Sequence, residues 1–170
     1  VFLAGLLVVA PIGPAAAQAL SWSTATTLYA DNTEFFTRYR VGETILGAQF
    51  HSSLVMRPGS RTSIRLGVFG DQRSGSDEFL ATLKPVIAFR YQAGGSTGQL
   101  GTLIPERWHG LLDPLQISTL ELTRPIEYGA QWNERRRHWE GEVYFNWQKL
   151  NRSNQREVID YGWVLRIHPH

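Results

Sequence analysis

The chain has 170 residues, 17 basic against 15 acidic groups, and no cysteine. The length fits one domain, the near balance of charge leaves no footprint for nucleic acid, and the missing cysteine excludes a disulfide framework, a thiolate metal site and a cysteine nucleophile. Aromatics make up 12%, and the six tryptophans call for an explanation in the fold.

Residues 1–19 read as a leader. Val1–Ala10 is apolar and uncharged, two prolines follow, and the small residues Ala17 and Ala19 fit an export cleavage site. The domain is then expected over residues 20–170, with the mature chain starting at Leu20. After Ala19 no apolar run approaches the roughly 18 residues of a spanning helix. Leu20–Thr27 reads as a polar lead-in, Thr27–Thr37 as a first strand, and Arg38–Gly42 as a loop. Glu43–Arg57 alternates with Leu46, Ala48, Phe50, Leu54 and Met56 on one face. Pro58-Gly59 turns the chain, and Thr62, Ile64, Leu66 and Val68 repeat the pattern up to Asp71, which predicts a hairpin. A polar connection (72–78) leads to a strand over Phe79–Ala93, a turn over Gly94–Gly98, and a short strand over Gln99–Ile104. Pro105–Pro114 is a loop. Leu115–Asn133 is the longest extended run, and Pro125 marks a bulge, edge or break in it. A charged turn, Glu134–His138, precedes Trp139–Lys149. After Asn151–Arg156 the last strand ends at Ile167.

This is an all-β, antiparallel up-and-down meander of about eight long strands. Three features favour a membrane barrel over a soluble sandwich. Several strands reach about 11 residues, the span of a tilted membrane strand, against about 5–6 in soluble sheets. The clearest apolar faces carry no charge, while Glu43, Arg65, Lys84, Glu140, Glu142 and Arg166 lie on the opposite, lumen-type face. Trp139 and Trp147 share one face, roughly 26 Å apart along the strand and roughly 20 Å in projection, near the height of an outer-membrane apolar band. With Tyr91, Tyr128, Trp132, Tyr161 and Trp163 they read as membrane-interface aromatics.

These features together resemble a bacterial outer-membrane β-barrel. Asp160, Gly162, Leu165 and Ile167 resemble the barrel-assembly signal, with Ile167 where an aromatic is usual and three residues beyond it. The barrel is expected to be either complete or the N-terminal part of a larger one. The resemblance implies the outer membrane as location, its bilayer and the barrel-assembly machinery as partners, and no nucleic acid. The expected function is porin-like passage of small solutes or a structural role, without enzymatic activity. Because eight strands enclose little free space, a channel would need a longer parent chain or an oligomer. A soluble periplasmic β-sandwich binding glycans is the alternative from another class.

Motif chemistry is sparse. There is no phosphate loop, no zinc-protease motif and no serine-hydrolase elbow. The five histidines show no ligand spacing, so neither a metal nor a cofactor is expected. His51-Ser52-Ser53 resembles the H-x-S pair of outer-membrane lipid A deacylases, eight-stranded barrels in which the histidine activates the serine. That resemblance implies an esterase using His51 and Ser53, as a second alternative. Leu54 stands where the family has Asn. Arg107, Trp108 and His109 are ligand candidates at a loop mouth, and Arg135–Arg137 could meet lipid phosphates.

Overall fold

The computed structural model describes residues 2–11, 20–33, 42–103, 109, 122 and 125–169. Every element with described bounds is a strand: β1 (Phe2–Pro11), β2 (Leu20–Thr33), β3 (Glu43–Gly59), β4 (Thr62–Arg73), β5 (Thr82–Ala93), β6 (Ser96–Leu103), β7 (Glu127–Arg135), β8 (Trp139–Lys149) and β9 (Val158–Ile167). They lie in one sheet in chain order, each beside its sequence neighbour. The single meander agrees with the expected fold class and differs from two packed sheets.

Several boundaries move. The expected lead-in Leu20–Thr27 is part of β2, because β3 offers a partner along its whole length, from Leu20↔Met56 to Thr33↔Glu43. Pairing here overrides the weak alternation of a serine- and threonine-rich segment. Phe2–Pro11, within the expected leader, pairs antiparallel with β2. β5 starts at Thr82, and Phe79 stands exposed before it. The Gly94–Gly95 turn is tighter than expected, so β6 starts at Ser96. Gly94 takes φ +56°, a conformation cheap only for glycine, as such hairpin turns require. β7 begins two residues after Pro125. Most of the expected strand over 115–126 lies outside the described residues.

Two compact units make up the chain, Val1–Met56 with Arg65–Val86, and Arg57–Ile64 with Ile87–His170. In the first, the exposed face carries Trp22, Leu28, Leu46, Leu66 and Val68. The covered face carries Tyr29, Asp31, Ile45, Gln49, Ser53, Phe69 and Asp71. In the second, Leu100, Trp132, Val143, Trp163 and Leu165 are exposed, while Ala88, Thr102, Leu103, Tyr144 and Asn146 are covered. An apolar exposed wall over a covered face that mixes polar and apolar groups departs from the soluble pattern and suits lipid outside.

Glycines shape both units by making room for rings. Tyr29 faces Gly47 across β2 and β3. A Cβ at Gly47 would stand 2.6 Å from the Tyr29 hydroxyl. Trp132 covers Gly98 in the same way and Tyr144 covers Gly162, each 2.8 Å from such a Cβ. A ring over a glycine buries apolar area and restores the side-chain contact that the glycine lacks.

Candidate active site

His51 and Ser53 sit two residues apart on β3, so the pleat sends both side chains to one face. Opposite them on β2 are Ala25 and Ser23. These small side chains leave space that a larger pair would fill. On the β4 side Gly67 packs against Ser53, and a Cβ there would fall 2.6 Å from the serine Oγ. The serine is 1% exposed. Within this pocket Ser53 Oγ lies 2.6 Å from His51 Nε2. With Nε2 unprotonated, the hydroxyl donates and the imidazole is placed to take its proton, the arrangement that turns a weak nucleophile into an active one.

The buried carboxylate on β4, Asp71, serves another cluster. It accepts from the Tyr29 hydroxyl at 2.8 Å and from Arg73 Nε at 3.2 Å. Among the described residues His51 and Ser53 stand as a dyad, with the Arg65 charge acting on the imidazole.

Across residues 12–170 the chain matches the family model described as lipid A 3'-O-deacylase-type. The chain belongs to this family. No curated protein and no solved structure matches it. Membership corrects the expectation of a non-enzymatic barrel, because a deacylase-type family points to an enzyme. The family is of an outer-membrane type, in agreement with the expected location. It favours the deacylase-like alternative over porin-like passage and over a soluble glycan-binding sandwich.

Within this family member the sequence-derived residues scatter. Leu54, which stands where the H-x-S resemblance has Asn, lies on the opposite face from the dyad, beside Trp22 of β2. Arg107 and Trp108 lie outside the described residues. His109 is 4% exposed. Its Nδ1 is 2.6 Å from Glu142 Oε1 and its Nε2 2.8 Å from Glu127 Oε2, and its ring stacks on Tyr144 at 3.6 Å. Gln131 Nε2 also donates to Glu142, at 2.9 Å. Burial alone would lower the His109 pKa, but the two carboxylates outweigh it and hold the imidazole up at about 9. With both nitrogens engaged this histidine joins Glu127 to Glu142.

Of the remaining polar candidates, Glu140 accepts from Arg166 at 3.1 Å and lies 3.6 Å from Arg135. Arg65 and Lys84 are partly buried on β4 and β5. Of these, Arg65 sets its charge against His51. The expected interface aromatics Trp132, Trp139, Trp147, Tyr161 and Trp163 are exposed, while Tyr91 and Tyr128 are partly covered. Trp132 Nε1 donates to Glu134 at 3.3 Å and Trp147 Nε1 to Glu157 at 2.6 Å, so both indoles send their N–H towards a strand end. Sequence reasoning missed the Tyr29–Asp71–Arg73 and Glu127–His109–Glu142 clusters. The parity of Asp71, Glu127 and Glu142 on their strands signals the covered face, but no local rule pairs them with Tyr29 or His109.

Proposed function

We propose that this chain is an outer-membrane esterase that releases an ester-linked fatty acid from lipid A, with Ser53 as nucleophile and His51 as general base. The observation that carries the reading is the 2.6 Å contact between Ser53 Oγ and His51 Nε2 in a member of a deacylase-type family. Ser53 Oγ attacks the ester carbonyl carbon as His51 takes the hydroxyl proton. The tetrahedral intermediate collapses, the sugar oxygen leaves with the proton returned by His51, and the acyl group stays on Ser53. Water, deprotonated by His51, then attacks the acyl carbonyl. The C–Oγ bond breaks, the fatty acid departs, and the serine regains its proton. Half-buried His51 is the open side of the pair and marks the side from which the ester approaches.

The test is acyl release from lipid A in detergent micelles, followed by mass spectrometry, with Ser53→Ala and His51→Gln beside the parent chain. Ser53→Ala should remove turnover, and His51→Gln should lower it about 10²–10⁴-fold, the usual weight of a general base. Labelling of Ser53 by a fluorophosphonate should depend on His51. Full activity in Ser53→Ala would overturn the assignment.

A further inference from the structure

We infer that Arg65 is a catalytic residue of the Ser53 site, its guanidinium donating to the oxyanion that forms when Ser53 attacks an ester carbonyl. The inference rests on Ser53 as nucleophile and His51 as base, and it names the group that stabilises the charge they create.

Strand geometry places Arg65 beside Ser53, on the side away from His51. On β4 Leu66 and Val68 are exposed while Phe69 and Asp71 are covered, so Arg65 and Gly67 belong to the covered face. A Cβ at Gly67 would fall 2.6 Å from Ser53 Oγ, so the hydroxyl takes the place of the missing side chain. Arg65 is its next neighbour on that face, roughly 7 Å along the strand from Gly67. β3 and β4 are adjacent and joined by the short turn after Gly59, and so run antiparallel. Moving from Ser53 to His51 on β3 goes towards Phe69 on β4. Moving the other way goes to Val55 and Arg65. The hydroxyl thus has the base on one side and the cation on the other. Val55 is buried and Arg65 partly so, and the Arg65 charge acts on the His51 imidazole.

The backbone of β3 is already committed. Oxyanions are commonly held by backbone N–H groups, but β3 is flanked by β2 and β4, and its N–H groups around Ser53 go to those two ladders. Leu54, the residue after Ser53, is apolar and points to the opposite face. Asp71, the acid on the covered face of β4, is held by Tyr29 and Arg73. Ser23 faces Ser53 from β2 with a neutral hydroxyl. Arg65 brings a charge and a fork of N–H groups, and a charge-assisted hydrogen bond is roughly twice as strong as a neutral one. In a covered site the difference grows, because little water screens it.

As the bond from Ser53 Oγ to the ester carbon forms, the hydroxyl proton passes to His51 Nε2 and the carbonyl π pair moves onto the carbonyl oxygen. Arg65 N–H groups donate to that oxygen. On collapse the pair returns, the bond from carbon to the sugar oxygen breaks, and His51 gives its proton to the leaving oxygen. Arg65 keeps its protons throughout.

The test uses the full chain in detergent micelles, with Arg65→Gln and Arg65→Lys beside the parent. Circular dichroism confirms that each variant keeps its strands. The substrates are lipid A and an uncharged p-nitrophenyl fatty-acyl ester. Arg65→Gln should lower kcat about 10²–10³-fold on both, the usual weight of one oxyanion donor, with KM within about two-fold. Arg65→Lys, which keeps the charge and loses the fork, should recover about ten-fold of that loss. Fluorophosphonate labelling of Ser53 reports the dyad separately. Labelling of the parent at Ser53, with kcat unchanged in Arg65→Gln, overturns the role of Arg65 alone. A loss confined to lipid A, or carried by KM, assigns Arg65 to the phosphates of the substrate and also overturns it. A parent that is not labelled at Ser53 and stays active as Ser53→Ala overturns the dyad and the role of Arg65 together.

Discussion

Tyr144 and Gly162 face each other across β8 and β9, and the tyrosine ring fills the space where a Cβ on residue 162 would sit. The same tyrosine stacks on His109, so one ring ties a strand pair to the segment that precedes β7. Gly162→Ala should therefore cost about 1–3 kcal/mol, the usual penalty of overpacking. Urea titration in detergent measures it. Tyr144→Phe with Gly162→Ala should be no better, because the clash involves the ring as well as its hydroxyl.

His109 makes stability depend on pH. Its folded pKa, about 9, is above the ordinary 6.5. The contribution is then fully present below about 6.5 and is lost as pH rises through about 9. Melting temperature in detergent should fall across that window. His109→Gln should lower stability at pH 6.5 and flatten the fall. An unchanged slope in the variant would show that another group is responsible.

Val143 is 60% exposed on the wall between Trp132 and Trp163. An arginine there should cost roughly 2–4 kcal/mol at mid-membrane depth. Glu142→Arg is a poor control, since Glu142 holds His109 and Gln131. Asn133→Arg, on the covered polar face beside Glu142, is the better one and should cost less. Folding yields into lipid vesicles compare the two, and equal yields would reverse the face assignment.

Gly67 offers a test of the dyad that leaves both its residues in place. A Cβ there meets Ser53 Oγ at 2.6 Å and Ser53 Cα at 2.7 Å. Gly67→Ala should displace the hydroxyl from His51 Nε2 and lower acyl release more than it lowers stability. Parallel loss of both would mean that the glycine serves packing alone.

The faces of β8 and β9 are legible in the sequence because alternation there is strict: Trp139, Val143 and Trp147 against Glu140 and Glu142, Tyr161 and Trp163 against Asp160 and Gly162. β2 is not legible, since Ser, Thr and Ala fit either face and only pairing with β3 defines it. The H-x-S spacing shows that His51 and Ser53 share a face, a property of any strand. It does not show that Ser23, Ala25 and Gly67 clear the space in which they meet, because those residues are distant in the chain. His109 is opaque for the same reason: its partners are 18 and 33 residues away and carry no local signature.

Among the described strands each lies beside its own predecessor and successor in the chain, with no crossover. Such a layout grows or shrinks by whole hairpins: inserting or deleting one between two strands leaves the ladders on either side intact. Relatives of this chain can therefore differ in sheet width by two strands at a time while keeping the hairpin that carries His51 and Ser53.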